Sequence, residues 1–353
     1  RLDGVTGVQT CALPIYASSQ IKDMINLHYN RPCIAVWCCH NEPSVNAKQL
    51  DPVLYRKARE EDAVRYIEQS SDFKQHPYQG WYFDDNFINA SSTIEGLKET
   101  FIITEYGAQA LPCVETMKKM EKIAAAGMWP PDFEAWEYHD FQFKTNFDIA
   151  RLEKDTTLEE FIESSQLYQA RLLKEQTETF RLMRYKNLNG LLQFMFCECW
   201  PSITWAVVDY YRNPKKGYFA LKQAMQPVLP GYRLFTTRIA QGDDVGFGQL
   251  WSMVFVINDT PAVLKNTALN ISITGPDNKT CFSGTKKLPD IMADSLARPF
   301  EGVPDIANNS FKAADNDKPG NYTMRLTLKD AKGKTLGTNS YGYEIVGSHK
   351  RKK

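Results

Sequence analysis

Two glutamates stand out among the carboxylates of this chain because of where they lie. Glu42 stands just beyond the apolar run of residues 34–39, and Glu105 directly follows the run of residues 101–104. Short continuous apolar runs are typical of strands buried on both faces of a parallel sheet. In a barrel of alternating strands and helices, side chains at the C-terminal ends of the strands meet in one mouth. We therefore expect the two carboxyl groups to converge, although they are far apart in the sequence.

Two facing carboxyl groups are what the hydrolysis of a glycoside requires. One protonates the leaving oxygen, and the other attacks the anomeric carbon or activates a water molecule. The alternative is that each glutamate is only a surface residue at the end of a strand. Because both positions have distinctive neighbours, the catalytic interpretation is favoured.

The spacing of apolar residues predicts alternating helices and strands up to residue 229. Helices are predicted at residues 17–28, 51–62, 114–126, 158–185 and 218–225. Strands are predicted at residues 33–39, 64–69, 101–104 and 191–197. Residues 129–147 are rich in aromatics, and their length predicts a functional loop. Strands that alternate with helices indicate an α/β fold with a parallel sheet.

The sequence changes character after residue 230. A strand is predicted at residues 250–258, apolar and polar residues alternate at 269–273 and 322–328, and residues 330–333 have the composition of a hairpin turn. Short alternating strands between turns predict a β-sandwich of roughly 110 residues. The predicted domains are therefore a barrel domain at residues 16–229 and a sandwich at residues 230–348.

Residues 1–15 are predicted to be an artefact. Residues 5–15 read VTGVQTCALPI, which is the in-frame translation of a common sequencing-library adapter. Such a segment is excluded from reasoning about the fold, and Cys11 is given no function. The natural protein is expected to continue upstream. The compartment is therefore not determined, with a periplasmic or extracellular location slightly favoured.

Composition argues against several other classes of function. The 353 residues include 42 Lys and Arg and 42 Asp and Glu, so the net charge is zero and no nucleic-acid partner is expected. No apolar run is long enough for a transmembrane helix, so no membrane partner is expected. The eight cysteines are too few for a disulfide scaffold, and several that lie in apolar runs are expected to be small buried hydrophobes. None has the C-x-x-C spacing of a zinc site, so no metal and no cofactor are predicted.

Three segments together resemble glycoside hydrolase family 2. Residues 31–43, RPCIAVWCCHNEP, are similar to the strand-four signature of that family. Residues 101–112, FIITEYGAQALP, resemble its nucleophile segment on strand seven. Residues 199–211, CWPSITWAVVDYY, resemble strand eight of the branch that contains β-mannosidases and exo-β-glucosaminidases. The resemblance implies the C-terminal strands of a (β/α)₈ TIM barrel, followed by an immunoglobulin-like β-sandwich.

The resemblance also implies a role for individual residues. Glu42 would be the general acid/base and Glu105 the nucleophile of a retaining double displacement, with carboxyl groups about 5–5.5 Å apart. Glu42 must hold a proton, so apolar walls and the charge of Glu105 are expected beside it. Asn41 would hydrogen-bond the sugar 2-hydroxyl, the alternative being a turn-forming asparagine. Trp200 would form an aromatic platform for the sugar.

Two further aromatic residues lie where the family places rings around the nucleophile. Tyr78 would hydrogen-bond Glu105, and Trp81 would stack on a sugar ring. The alternative for both is ordinary aromatic packing at the rim of a barrel.

The expected partner is an oligosaccharide or a glycoside with a terminal β-linked sugar. β-Mannosides are the preferred substrate, and hydrolysis would need no cofactor. Exo-β-glucosaminidase activity is the alternative, although those relatives tend to replace the acid/base glutamate with aspartate. β-Galactosidase and β-glucuronidase activities also stay open.

A second hypothesis belongs to another class of protein. Only about five of the eight barrel strands can be placed, and those upstream of Cys33 are absent. An incomplete barrel exposes unpaired strand edges. The chain would then be an inactive fragment that acts only as a carbohydrate-binding or structural module.

Overall fold

The computed structural model describes residues 7–44, 46–82, 100–184, 188–234, 237–241, 253–301 and 318–347, and for residues 7–12 the backbone alone. The chain divides into two compact units. The first unit comprises residues 1–77, 96–106 and 188–193, and the second comprises residues 78–95, 107–187 and 194–353. Across the described ranges, no helix combines the length and apolar character that a membrane crossing requires.

In its described residues, the first unit contains two helices and four short strands. They are α1 (Gly7–His28), β1 (Val36–Cys38), α2 (Ala47–Glu61), β2 (Tyr66–Glu68), β3 (Ile102–Ile103) and β4 (Gly190–Leu191). β1 pairs in parallel with β2, and β3 pairs in parallel with β4. Parallel strands connected through helices confirm the predicted α/β class. Both predicted helices of this unit are present, and each begins earlier than predicted.

The buried Asp62 follows α2 and connects this helix to β1 and to the segment before β2. Its carboxylate accepts hydrogen bonds from Trp37 Nε1 at 2.9 Å and from Arg65 Nη1 at 2.6 Å. Burial alone would raise the pKa of Asp62, but the hydrogen bonds from Trp37 and Arg65 outweigh it and hold that pKa well below its usual range. The apolar core beside it consists of Ile21, Ile25, Trp37, Leu54, Ala58 and Ile67.

The prediction of a strand buried on both faces at residues 33–39 is wrong. Only residues 36–38 form a strand, and Trp37 is buried whereas Cys33 and Cys38 are exposed. The physical reason is that β1 has one strand partner among the described residues, so part of it faces solvent. None of the seven described cysteines is buried, which also corrects the prediction that they act as buried hydrophobes.

The helices of the second unit precede its sheets. They are α3 (Val114–Met117), α4 (Glu121–Ala125), α5 (Phe133–Tyr138), α6 (Leu158–Leu182) and α7 (Lys216–Ala224), with a π-helical turn at Thr145–Ile149. The segment 129–147 is therefore not a simple loop, because Asp132 caps α5 by accepting a hydrogen bond from the Ala135 amide. The helix predicted at 114–126 is broken into α3 and α4.

A capping box starts α6. Thr157 Oγ1 accepts a hydrogen bond from the Glu160 amide, and the Glu160 carboxylate accepts one from the Thr157 amide at 3.0 Å. Apolar residues repeat on one face of the helix, and Leu158, Phe161 and Leu172 are buried there.

The strand predicted at residues 191–197 is much shorter than expected. Only Gly190–Leu191 forms regular pairing, and Cys197 makes an isolated bridge with Val208. None of residues 191–197 is buried, and Leu192 and Phe196 are exposed. The apolar run is therefore not a buried strand, because strand pairing also needs a neighbouring strand in register.

The described strands of the second unit form two mainly antiparallel sheets. Their strands are β5 (Val228–Tyr232), β6 (Arg238–Ala240), β7 (Val254–Asn258), β8 (Ala268–Thr274), β9 (Thr280–Lys287), β10 (Ser295–Ala297), β11 (Gly320–Lys329) and β12 (Thr335–Val346). The orders are β10-β7-β5 and β6-β12-β11-β8-β9, with the β6–β12 pair parallel. Alternate residues of β8 and β11 are buried, and they form one apolar core with side chains of β5 and β7. The predicted hairpin at 330–333 joins β11 to β12, whereas residues 250–252 of the predicted strand 250–258 lie outside the described residues.

Candidate active site

The loop after β1 places Glu42 by backbone hydrogen bonds to the segment that follows β2. The Ser71 amide donates to the His40 carbonyl at 2.9 Å, and the Glu42 amide donates to the Ser71 carbonyl at 2.8 Å. Asn41 lies between them and forms a parallel bridge with Ser71. Glu42 has a φ of 46°, a left-handed conformation that is uncommon for a residue other than glycine. The two backbone hydrogen bonds to Ser71, which flank Asn41, hold this conformation.

Glu105 is held by the same segment. The amides of Thr104 and Glu105, which follow β3, donate to the Gln75 carbonyl at 3.1 Å and 3.3 Å. The short segment of residues 71–76 therefore contacts the backbone beside both glutamates. It fixes the spacing of two positions that belong to different strands.

His76 lies between the two carboxylates. Its Nδ1 is 3.1 Å from Glu42 Oε1, and its Nε2 is 3.7 Å from Glu105 Oε1. A carboxylate oxygen of Glu42, a carboxylate oxygen of Glu105 and a ring nitrogen of His76 all lie within 4.8 Å of one another. The two glutamates thus converge in one place, as expected of strand-end carboxylates.

Two hydroxyl groups extend the hydrogen-bond network of the buried imidazole. Ser71 Oγ lies 2.9 Å from His76 Nε2 and also hydrogen-bonds Thr104 Oγ1. If Nδ1 carries the proton and donates to Glu42, Nε2 is the acceptor for the Ser71 hydroxyl, which in turn accepts from Thr104. All donors then point in one direction, and the chain of hydrogen bonds ends at Glu42.

The two glutamates differ in exposure. The side chain of Glu42 is 64% exposed, that of Glu105 is 16% exposed and that of His76 is 3% exposed. The apolar walls expected around Glu42 are therefore not provided by the described residues. The groups that face it are polar, namely His76 and the carboxylate of Glu105.

The same three side chains could ligate a metal ion. Within the described ranges, Glu42, His76 and Glu105 form the group whose ligand atoms lie close enough together for that. No cysteine belongs to this group.

His76, Ser71 and Thr104 are not among the residues predicted from the sequence. His76 begins the aromatic segment 76–82, in which Tyr78 and Trp81 are the residues predicted to bind a sugar or the nucleophile. The available signal is a histidine directly before a proline and two residues before Tyr78. That spacing alone does not reveal that the imidazole faces Glu42.

The predicted aromatic residues belong to the second unit, and their roles toward a sugar stay predictions. Tyr78 is 6% exposed and packs against Tyr82 and Trp205, with ring centroids 5.2 and 6.3 Å apart. Trp81 is fully buried, and its indole N–H donates to Gln142 Oε1 at 3.1 Å. This burial favours the packing alternative for Trp81 over sugar stacking.

Trp200 is placed differently. It is 36% exposed, and one face of its ring stacks on His139 with an interplanar angle of 19° and centroids 5.3 Å apart. The Tyr138 ring packs against the Trp200 ring in a T-shaped arrangement, with ring centroids 5.7 Å apart. A backed and partly exposed indole is the arrangement that a platform for a sugar needs.

Comparisons with known proteins agree with the resemblance seen in the sequence. The chain is 24% identical to β-mannosidase B of Aspergillus oryzae over 243 residues, covering 64% of this chain and 28% of that protein. It is 30% identical to β-mannosidase B of Emericella nidulans over 165 residues, covering 45% of this chain and 19% of that protein. The matches thus span less than a third of the length of these relatives. No protein-family model matches the chain.

Solved structures show the fold. A β-D-mannosidase from Dictyoglomus thermophilum superposes with a TM-score of 0.66 at 20% identity, covering 94% of this chain and 41% of that one. The exo-chitosanase CsxA of Amycolatopsis orientalis gives a TM-score of 0.66 at 18% identity, covering 92% of this chain and 38% of that one.

The fold and the named relatives place the chain among proteins similar to glycoside hydrolases. More narrowly, they confirm its resemblance to the β-mannosidase and exo-β-glucosaminidase branch of glycoside hydrolase family 2.

Proposed function

We propose that this chain carries the catalytic carboxylates of a retaining exo-β-glycosidase that removes terminal β-mannosyl residues. The observation that carries the proposal is the approach of Glu42 and Glu105, whose oxygens lie within 4.8 Å of each other. Retaining enzymes hold the two carboxyl groups about 5–5.5 Å apart, whereas inverting enzymes separate them by about 6.5–9.5 Å to admit water. The short distance favours retention.

The roles of the two glutamates follow from their surroundings. Glu105 is more buried and would attack the anomeric carbon to form a glycosyl–enzyme intermediate. Glu42 would protonate the leaving oxygen and then deprotonate the incoming water. Its high exposure suits exchange of the leaving group and of water on that side.

His76 would position the acid. With the proton on Nδ1, the imidazole would donate to Glu42 Oε1, and the catalytic proton of Glu42 would reside on Oε2. A fixed donor on one oxygen orients the other oxygen toward the substrate, and orientation of this kind contributes to the rate. Asn41, which adjoins Glu42, would bind the sugar 2-hydroxyl. Trp200 belongs to the second unit, and its role as a platform for a sugar stays a prediction.

The wider architecture completes the proposal. The parallel pairs β1–β2 and β3–β4 with their helices would be the C-terminal strands of a (β/α)₈ TIM barrel, and the antiparallel sheets from residue 230 onward an immunoglobulin-like sandwich. The names of the matched relatives support β-mannosides as the substrate, and the retained glutamate at position 42 supports them over glucosaminides.

The test uses nitrophenyl sugars on the 353-residue chain and on a longer chain with upstream sequence restored. We expect β-mannoside hydrolysis with retention, observed by NMR of the first product anomer. Glu105→Ala should lower kcat about 10³-fold or more, whereas the exposed control Glu115→Ala should leave it unchanged.

Glu42→Ala should separate two kinds of substrate. Hydrolysis of unactivated mannosides should fall about 10²–10⁴-fold, while dinitrophenyl mannosides, whose leaving group needs no proton, should form the intermediate nearly as fast as before. Equal losses on both would remove Glu42 from the acid role. Sugar binding by the longer chain without any hydrolysis would support the binding-module hypothesis instead.

A further inference from the structure

We propose that Glu42, His76 and Glu105 bind a divalent transition-metal ion, for which Zn²⁺ is the best match, and that the bound ion inhibits the site. All three residues belong to the first unit. The inhibition rests on the proposed function, because the ion stops hydrolysis only if the two glutamates are catalytic. The binding of the ion depends on the three side chains alone.

The donor atoms of these side chains already lie near the spacing that one ion requires. His76 Nδ1 is 3.1 Å from Glu42 Oε1, and one donor atom from each side chain lies within 4.8 Å of the other two. Nitrogen and oxygen ligands bind Zn²⁺ at about 2.0–2.2 Å, so two ligands of a tetrahedral ion are about 3.3–3.6 Å apart. The Glu42 side chain is 64% exposed and can rotate to close the remaining gap.

His76 is held in the way that a metal-binding histidine requires. Such a histidine binds the ion through one ring nitrogen and donates the N–H of the other nitrogen to an acceptor, which fixes the tautomer. Nε2 of the buried imidazole lies 2.9 Å from Ser71 Oγ, and Nδ1 faces Glu42. With the proton on Nε2, Ser71 is the acceptor and the lone pair of Nδ1 is free for the ion.

The hydroxyl groups of Ser71 and Thr104 are compatible with both tautomers of His76. Either hydroxyl can be the donor in the hydrogen bond between them. In the state proposed for catalysis, Nδ1 carries the proton and donates to Glu42. In the metal-bound state, Nε2 carries the proton, and Ser71 accepts from Nε2 and donates to Thr104. Metal binding therefore leaves neither ring nitrogen of the buried imidazole without a partner.

The donor set favours a transition metal over Mg²⁺ and Ca²⁺. An imidazole nitrogen suits Zn²⁺, Cu²⁺ and Ni²⁺, whereas Mg²⁺ and Ca²⁺ prefer a larger set of oxygen ligands. Three protein ligands leave the fourth position of a tetrahedral Zn²⁺ to water, and the exposure of Glu42 gives water access. Two ionised carboxylates at this distance repel each other, and a divalent cation between them removes that repulsion.

A bound ion stops both chemical roles that we propose for the glutamates. A Glu42 carboxylate that ligates the metal holds no proton for the leaving oxygen. A Glu105 carboxylate that ligates the metal does not attack the anomeric carbon. The ion and the glycoside therefore exclude each other, and Zn²⁺ is an inhibitor of this site and not a cofactor.

Calorimetric titration of the 353-residue chain with Zn²⁺ tests the site without any substrate. We expect Zn²⁺ to bind about tenfold or more tightly than Mg²⁺. Glu42→Gln, His76→Gln and Glu105→Gln should each weaken Zn²⁺ binding about tenfold or more, because each removes a ligand. Ser71→Ala, which removes the acceptor behind the imidazole, should weaken it about 10–100-fold. Circular dichroism checks that each variant is folded.

Cys38→Ser is the matched control, because it removes an exposed thiol close to Glu42 in the sequence and should leave the Zn²⁺ affinity unchanged. Three results would overturn the metal site. They are no binding of Zn²⁺, equal affinity for Mg²⁺, and parent affinity in the folded Glu42→Gln and His76→Gln variants. A loss of binding in Cys38→Ser alone would also overturn it, because the ligand would then be a thiolate.

Inhibition is measured separately, on the longer chain with upstream sequence restored. Zn²⁺ should raise the apparent KM for nitrophenyl mannosides and leave kcat unchanged, and a chelator should reverse the effect. Zn²⁺ binding that depends on His76 in a chain that hydrolyses nothing would contradict the proposed function and support the metal site. Hydrolysis that continues unchanged at saturating Zn²⁺ would overturn the inhibition.

Discussion

At the scale of single residues, a chain of hydrogen bonds ends at Glu42 and would fix the orientation of its carboxylate. Thr104, Ser71 and His76 form a chain in which each group satisfies the next, and the imidazole is almost completely buried. A buried network of this kind orients its last member because every donor already has its acceptor. The exposed Glu42 side chain would otherwise sample several rotamers.

Replacing His76 by glutamine should therefore impair the acid step selectively. We expect kcat/KM for unactivated mannosides to fall about 10–100-fold, because a small misplacement of a catalytic group has an effect of that size. Dinitrophenyl mannosides should lose much less, because their leaving group needs no proton.

The control is His28→Gln, which changes a histidine of α1 outside the site. A role for His76 in folding alone would lower the two classes of substrate by the same factor. That result, measured on protein with unchanged circular dichroism, would contradict the positioning role.

Single residues also show what sequence reasoning can find. Glu42 and Glu105 are predicted because each carboxylate lies just beyond a short apolar run of strand length. His76 is not predicted, because its importance comes from the direction of its ring and not from its neighbours in the chain. The exposure of Glu42 is likewise decided by which elements surround it.

At the scale of elements, the start of α6 depends on one carboxylate. Glu160 accepts hydrogen bonds from Thr156 Oγ1 at 2.5 Å and from Thr157, at its hydroxyl and its amide. The hydrogen bond from Thr156 and those from Thr157 lower the pKa of Glu160 to about 2. A folded-state pKa below the ordinary value of 4.5 means that the ionised carboxylate stabilises the fold.

This stabilisation should be fully present above about pH 4.5 and should be lost as the pH falls toward about 2. We expect Glu160→Gln to lower the Tm at pH 6 and to approach the parent Tm near pH 2. The measurement is thermal unfolding followed by circular dichroism across this range.

Glu159→Gln is the matched control, because it removes a carboxylate from the same turn without a hydrogen bond provided by the described residues. A constant difference between Glu160→Gln and the parent at all pH values would show that the carboxylate does not titrate as proposed.

Elements differ in how far the sequence predicts them. The long helix α6 is predicted almost to its ends, because its period and its capping box depend on local residues. The segment 129–147 and the strand at 191–197 are predicted poorly, because short helices and strand pairing depend on neighbours that are distant in sequence. The strands β8 and β11 are predicted well, since one face of each is buried and the alternation is therefore strict.

At the scale of the whole molecule, a buried ion pair lies in the interior of the second unit. Lys215 Nζ lies 2.7 Å from Glu198 Oε1 and also donates to the Ala110 carbonyl at 2.7 Å, with both charged side chains at most 1% exposed. Burial lowers the pKa of Lys215 and raises the pKa of Glu198, and their mutual attraction opposes both changes. The hydrogen bond from Lys215 to Ala110 connects the pair to a segment 105 positions away in the sequence.

Breaking this pair should destabilise the unit strongly. Lys215→Met leaves the Glu198 carboxylate buried without its partner, which typically costs about 3–5 kcal/mol. The double variant Lys215→Met with Glu198→Leu should recover most of that loss, because no uncompensated charge remains. Urea denaturation gives the free energies of unfolding, and a loss below about 1 kcal/mol for Lys215→Met would contradict the prediction.

The sequence by itself determined which carboxylates to examine, where the long helix begins, which positions of the antiparallel strands are buried and which family the chain resembles. These properties depend on residue type, period and spacing, which a linear chain states directly. Only the tertiary structure decided that His76 lies between the two glutamates and that none of the seven described cysteines is buried. Such relations depend on the directions of side chains brought together by distant segments, and no local pattern in the chain encodes those directions.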